Sequence, residues 1–348
     1  MATFLGLDYP TLWFLLIGAV FSGYAILDGF DLGVGAIHLF LRKEESRRIA
    51  INAIGPVWDG NEVWIVIGGG ALFAGFPAIY ATLLSTFYIP FILFLLALIF
   101  RAISIEFRSK ETMPWWRQMW DICFCASSIG ITVLLGMILG NVLQGLPINA
   151  QGEIENTATF TSFSFFNFYS CIVGATTLTL FMMHGALYLI MKTENRLYAR
   201  LTFIVKNSVI AFVLWYAILT LYTLLYEPHL TDRFRSQPAL FVIPLASILA
   251  VANITRSIAR RRYGLAFFSS TAVIASLFML VAIELYPNIL LSTLGAKNNL
   301  TIYNSSSSET SLGIMLVIAA IGIPLVGAYT LFVFKTFRGK VQLDEHSY

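Results

Sequence analysis

Charged residues are scarce in this chain of 348 residues, where they make up 12% of the total while 58% of the residues are hydrophobic. A soluble globular chain carries roughly twice that share of charge. The mean hydropathy of +0.78 and the long apolar runs therefore exclude an ordinary soluble enzyme. They indicate a polytopic membrane protein built from helices.

Signatures of catalysis and of metal or cofactor binding are also missing. There is no nucleophile constellation and no phosphate-binding loop, and there are only four histidines. His38 and His184 lie in or near predicted spans and could each ligate a haem, but a hydrogen-bonded packing histidine is the commoner role. We therefore expect no haem, other cofactor or metal ion on this chain. The net charge of +3 comes from short basic clusters between apolar runs, which is not a nucleic-acid signature.

Nine segments are long and apolar enough to cross a bilayer. They lie near residues 10–40, 55–75, 77–102, 118–145, 165–191, 203–226, 239–256, 264–286 and 311–334. The loops between them are too short for a soluble domain. The sequence thus predicts an all-α membrane protein with nine transmembrane helices, forming one integral membrane domain over residues 1–348.

Basic residues are distributed unevenly between the two sides of this predicted topology. All but three of the 22 Lys and Arg residues fall on one side, the exceptions being Arg233, Arg235 and Lys297. Cytoplasmic loops are the basic ones. We expect a cytoplasmic C-terminus and an N-terminus on the outside.

Two pairs of acids lie inside the first two predicted helices. Asp28 and Asp31 are three residues apart in LDGFDLGVG, and Asp59 and Glu62 are three apart in GPVWDGNEVW. Residues at this spacing share a helix face. The glycines around both pairs favour close helix contact, which would bring the two acidic faces together in the cytoplasmic half of the membrane.

Other ionisable side chains are predicted at the same depth. Arg101 and Glu106 lie at the end of the third helix, and Asp121 lies at the start of the fourth. Each charge facing lipid near the bilayer centre costs roughly 2.5–3.5 kcal/mol, so these groups must face inward, pair or take up protons. Because Arg101 cannot neutralise all the acids, we favour a proton or ion pathway. A salt-bridge network that fixes helix register and a partner interface or substrate site are the alternatives.

Several motifs in order resemble subunit II of the cytochrome bd-type quinol oxidases, which include the cyanide-insensitive oxidases. They are LDGFDLGVG, GPVWDGNEVW with the following GGGALFAGFPAIYA, the EFRSK end of helix three, and WRQMWD. The resemblance is dense over residues 20–125 and weaker but collinear beyond. It implies two four-helix bundles, helices 1–4 over about 10–145 and helices 5–8 over about 165–286, with a peripheral ninth helix at about 311–334.

The resemblance also implies a function that the residues alone do not. The complex would oxidise quinol and reduce dioxygen to water in a bacterial inner membrane. Two b-type haems and a d-type or third b-type haem would belong to subunit I, the partner of this haem-free chain. The resemblance also allows small single-helix accessory subunits. Membrane lipid and quinone are the other molecules that the chain is expected to contact.

Individual residues receive roles through the same resemblance. The acids on a cytoplasmic proton route would be Asp28, Asp59 and Glu106. Asp31 and Glu62 would tune them, and Trp58 and Arg101 would support them, together with Asp121, which the helix positions put at the same depth. A stand-alone secondary transporter, binding a proton or cation on the same acids, is the alternative from another class.

Overall fold

Helices form most of the computed structural model, which describes residues 3–4, 6–155 and 162–343. The α-helices in these ranges are α1 Tyr9–Ile37, α2 Glu44–Ile54, α3 Trp58–Gly75, α4 Pro77–Thr86, α5 Tyr88–Phe107, α6 Pro114–Gln144, α7 Ser162–Phe165, α8 Phe168–Met191, α9 Asn195–Tyr226, α10 Asp232–Ser236, α11 Val242–Ala259, α12 Tyr263–Leu285 and α13 Glu309–Thr336. Short 3-10 turns extend α1 to Phe40 and α5 to Lys110.

Two short antiparallel hairpins complete the architecture. The first pairs β1 (Thr3–Phe4) with β2 (Leu7–Asp8), and Thr3 lies opposite Asp8. The second pairs β3 (Asn288–Leu290) with β4 (Leu300–Thr301) in the loop before α13. The two hairpins lie near each other, since the hydroxyl of Tyr303, just after β4, donates to Asp8 Oδ2 at the end of β2 at 3.4 Å.

Eight helices of the described residues are long and apolar enough to cross a membrane: α1, α5, α6, α8, α9, α11, α12 and α13. Helix α3 is not among them, because Asp59, Asn61 and Glu62 occupy its first two turns and lower its hydropathy. The chain is thus a mostly helical multi-pass protein. A ninth crossing by α3 stays a prediction.

The third predicted segment, near 77–102, is not one continuous helix. It is divided at Phe87 into α4 and α5, and only α5 is long and apolar enough to span. Pro77 begins α4, and Pro90 lies in the first turn of α5. Proline is tolerated in a first turn because the N–H groups there have no intrahelical partner. Two prolines 13 residues apart therefore fit two helix starts better than one long helix.

The centre of the molecule is the contact of α1, α6 and α8. Helix α8 packs against α1, α6, α9 and α12, while α1 also packs against α3. A Cβ on Gly33 of α1 would lie 1.8 Å from the carbonyl oxygen of Phe181, and one on Gly185 of α8 would lie 2.5 Å from the backbone of Gly33. The two backbones touch where these glycines face each other, as small residues permit in membrane helices. Helix α13 contacts α1 and α3 and is otherwise exposed along most of its length.

Candidate functional site

A buried ion pair joins α1 to α5. Asp28 and Arg101 both have no exposed surface. Arg101 Nη1 donates to Asp28 Oδ2 at 2.8 Å, and Arg101 Nη2 donates to the other carboxylate oxygen. A two-pronged guanidinium–carboxylate contact is the strongest common form of charged hydrogen bond, so both side chains are fixed in place.

Glu62 of α3 approaches the same guanidinium. Its Oε2 lies 3.5 Å from Arg101 Nη1, and its side chain is 21% exposed. Arg101 thus faces two carboxylates, that of fully buried Asp28 and that of partly exposed Glu62. The predicted role of Arg101 as a shared cation for this group of acids fits these contacts.

Asp31 has a different environment, although it is also fully buried. Its Oδ2 accepts a hydrogen bond from Asn61 Nδ2 at 2.7 Å, and the same amide lies 3.3 Å from the carbonyl oxygen of Leu27. Its Oδ1 accepts no hydrogen bond from any described residue. Asn61 was not predicted as a site residue. The signal available in the sequence was its position among the acids of WDGNE.

The turn of α3 that faces α1 presents Asn61 rather than an acid. Asn61 is 1% exposed, whereas Asp59 is exposed. The expected meeting of two acidic faces is therefore only partial: Glu62 reaches the Arg101 pair, and Asp59 lies on the outer face of the helix. Trp58 is buried in the core beside them, and Glu106 is half-buried at the end of α5.

Asp121 belongs to a second group of charges, on α6. Its Oδ1 lies 2.5 Å from His38 Nε2 and 2.5 Å from Arg108 Nε, and its Oδ2 lies 3.0 Å from Arg47 Nη1. Arg108 also pairs with Glu44 at 2.8 Å. This group, which we call the Asp121 cluster, connects the ends of α1, α2, α5 and α6. The partners of Asp121 were not predicted.

His184 is not arranged like a haem ligand. His184 Nδ1 lies 2.6 Å from Ser270 Oγ, its Nε2 donates to the carbonyl of Ile26 at 3.0 Å, and its ring stacks on Phe267. An axial ligand needs a free ring nitrogen, and His184 has none. His38 Nε2 is engaged by Asp121, whereas its Nδ1 has no partner among the described residues. Among the described residues no group of three or more His, Cys, Asp or Glu side chains could hold a metal ion.

Comparison with known proteins identifies the family. Residues 9–337 match the family model described as cytochrome bd terminal oxidase subunit II. This chain belongs to that family. Cytochrome bd ubiquinol oxidase subunit 2 of Bacillus subtilis is 34% identical, with 96% of this chain and 97% of the relative aligned. Cytochrome bd-I ubiquinol oxidase subunit 2 of Escherichia coli K12 is 28% identical, with 97% of each chain aligned.

A solved structure shares the fold. One chain in the structure of bd oxidase from Geobacillus thermodenitrificans superposes with a TM-score of 0.78 at 18% identity, covering 94% of this chain and 98% of that one. As a bd oxidase subunit II, the chain is part of an oxidoreductase complex in the bacterial inner membrane. Such a complex contains haems and a partner subunit I. Family membership favours the oxidase over the transporter.

Proposed function

We propose that this chain is the haem-free second subunit of a quinol oxidase, holding the haem-bearing subunit I and carrying protons towards the site of dioxygen reduction. Ubiquinol is the substrate named for the relatives in Bacillus subtilis and Escherichia coli, and quinol is the class we assign to this complex. Haem bound in the partner would supply electron transfer and dioxygen reduction. The occupied ring nitrogens of His184 support a haem-free chain.

The observation that carries the proton route is the buried group formed by Asp28, Asp31, Asn61, Glu62 and Arg101. Acids inside a membrane domain are expensive and mark ion or proton paths. This group is closed on the α1 side, where both aspartates are fully buried. It is open on the α3 side through Glu62. We therefore assign proton entry to the Glu62 side of the group.

We assign a role in this route to each remaining predicted residue. Exposed Asp59 and partly exposed Glu62 would take protons up, and half-buried Glu106, near the end of α5, would belong to the same route. Trp58 packs beside the acids, and Asp121 holds the neighbouring helix ends in place. Asp28 and Arg101 form the ion pair at the centre of this group.

The topology supports a cytoplasmic opening. With nine crossings, including α3, all but three of the 22 basic residues lie on the side where α3 begins and α5 ends. The positive-inside rule assigns this side to the cytoplasm. We accordingly propose one integral membrane domain, with helices 1–4 and 5–8 as two bundles and α13 at the periphery.

The test is the Asp59→Asn variant in the complex purified under mild detergent. Amide cannot carry a proton as carboxylate does, and removing such a group lowers rates by about 10²-fold or more. We expect oxygen consumption to fall while the haem content of the complex persists. Asp8→Asn is the matched control, because asparagine caps a helix as well as aspartate does and Asp8 caps α1 at the far end.

Two results would contradict the proposal. Purification of this chain alone, without a haem-bearing partner, would exclude the oxidase assignment. Full oxygen consumption by Asp59→Asn would show that Asp59 is structural or bypassed.

A further inference from the structure

Asp28 and Asp31 share one face of α1 but differ in their partners. Both oxygens of Asp28 accept hydrogen bonds from Arg101. One oxygen of Asp31 accepts from Asn61, which carries no charge, and the other has no donor among the described residues. Within those residues Asp31 forms no ion pair. The two acids therefore have unequal freedom to change protonation state.

A proton on Asp28 would disturb what surrounds it. Arg101 stays charged under all ordinary conditions and is itself fully buried. Neutral Asp28 would leave that guanidinium with Glu62, at 3.5 Å, as its one remaining ion-pair partner among the described residues. Removing one member of a buried ion pair is strongly destabilising. Asp28 is thus suited to remain an anion throughout turnover.

Asp31 can gain and lose a proton without breaking an ion pair. The Asn61 amide can donate to Oδ2 in both protonation states, so Oδ1 is the oxygen available to a proton. A buried carboxylate without a cation bound to it is costly, and the neutral acid removes that cost. The Oδ1–H bond forms when a proton arrives and breaks when it moves on, with no change in electrons.

Further polar atoms lie along the same path beyond Asp31 and Asp28. Tyr24, one turn before Asp28 on α1, has a buried hydroxyl beside the Asp28 carboxylate, and Trp64, one turn after Asn61 on α3, has a buried indole N–H without a partner among the described residues. The Trp64 ring packs against α1 at Gly23. The facing surfaces of α1 and α3 thus continue with polar groups towards the middle of both helices. The Tyr24 hydroxyl can accept a hydrogen bond as well as donate one, whereas the Trp64 indole N–H can only donate.

We propose that Asp31 is the carboxyl that is loaded with a proton in each turnover, and that Asp28 is the permanent counter-ion of Arg101. The inference rests on the proposed proton route and names the residue within it that changes protonation state. It predicts different phenotypes for the two acids, with turnover lost when Asp31 is replaced and assembly lost when Asp28 is replaced.

The experiment compares Asp31→Asn, Asp31→Glu and Asp28→Asn in the complete complex in native membranes. We expect Asp31→Asn to keep the haem content and lower quinol-driven oxygen consumption by about 10²-fold, with Asp31→Glu restoring much of it. We expect Asp28→Asn to reduce the amount of assembled complex. Infrared difference spectra between reduced and oxidised complex supply a readout that a structural role would not change. A carboxylic-acid band should disappear in Asp31→Asn and shift in Asp31→Glu.

The outcomes separate this inference from the function on which it rests. Full turnover in Asp31→Asn, together with low turnover in Asp59→Asn, overturns the assignment of Asp31 and leaves the proton route in place. Full turnover in both variants overturns the route itself. If Asp31→Asn does not assemble, Asp31→Glu decides, because an unshifted carboxylic-acid band in that variant contradicts the proposal.

Discussion

Asp121 is the best-connected buried acid among the described residues. Its two oxygens meet Arg108, Arg47 and His38 at 2.5–3.2 Å, and its side chain is 1% exposed. The three partners come from α5, α2 and the end of α1. One carboxylate thus holds three chain segments against α6, and its charge is the reason that two arginines can approach each other there.

We expect Asp121→Asn to destabilise the chain by about 3–5 kcal/mol, because it leaves buried Arg108 without its principal anion. Glu44→Gln is the matched control. It also removes an anion from Arg108, but its side chain is 45% exposed, and exposed pairs contribute less than about 1 kcal/mol. The apparent melting temperature of the detergent-solubilised complex, followed by size-exclusion chromatography after heating, measures both. Equal losses in the two variants would show that burial does not decide the strength of these pairs.

Sequence patterns predict the charge balance of the site better than its contacts. Arg101 was expected to pair with the intramembrane acids, since lipid leaves them no other stable partner, and the Asp28 contact agrees. The outward direction of Asp59 and the inward direction of Asn61 depend on how α3 is rotated about its axis. Spacing shows which residues share a face, but it does not show which face meets α1. The Asp121 cluster joins residues up to 83 positions apart, which no local pattern encodes.

The crossing of α1 and α8 depends on two glycines. Gly33 and Gly185 lie where a Cβ on either would collide with the backbone of the other helix. Close backbone approach of this kind lets two membrane helices gain van der Waals contact that lipid cannot supply. The crossing lies one turn or less from Asp31, so the position of that acid depends on it.

We expect Gly33→Ala to abolish the recovery of folded complex, because a methyl group 1.8 Å from the Phe181 carbonyl oxygen forces the helices apart. Gly18→Ala is the matched control. Gly18 lies on the same helix, and a Cβ there would meet nothing within 4 Å. Alanine favours helix by about 1 kcal/mol over glycine, so this variant should be recovered at the normal level or above. Fluorescence size-exclusion chromatography of a tagged chain compares them. Normal recovery of Gly33→Ala would mean that the crossing can open without loss.

Long apolar helices were the most predictable elements, since eight of the nine expected segments overlap a helix long and apolar enough to span. Amphipathic α2, Glu44–Ile54, was missed because it is too short and too polar for the spanning pattern. The break at Phe87 does not show in the hydropathy, since an apolar residue between two apolar helices leaves the hydropathy unchanged.

On the scale of the whole molecule, the long helices expose apolar side chains over most of their outer surfaces, notably on α13 and α11. The proposed nine-crossing topology puts all but three of the 22 basic residues at one end of the helices, and Lys297 and the β3–β4 hairpin at the other. The proton route requires the exposed side of Glu62 to face the side of the membrane that carries most of the basic residues. A test of the orientation is therefore also a test of the route.

The orientation is tested by cysteine labelling in intact cells. In a chain with Cys123, Cys125 and Cys171 replaced by alanine, Lys297→Cys should react with a membrane-impermeant maleimide added outside. Arg262→Cys should react only after the cells are permeabilised. Both positions are exposed, so accessibility differs only through the side of the membrane on which each lies, and the cysteine-free chain gives the background. Labelling of Arg262→Cys in intact cells would show that the orientation is the reverse of the proposed one. It would also place Glu62 and Asp59 at the outer surface, where they could not draw protons from the cytoplasm.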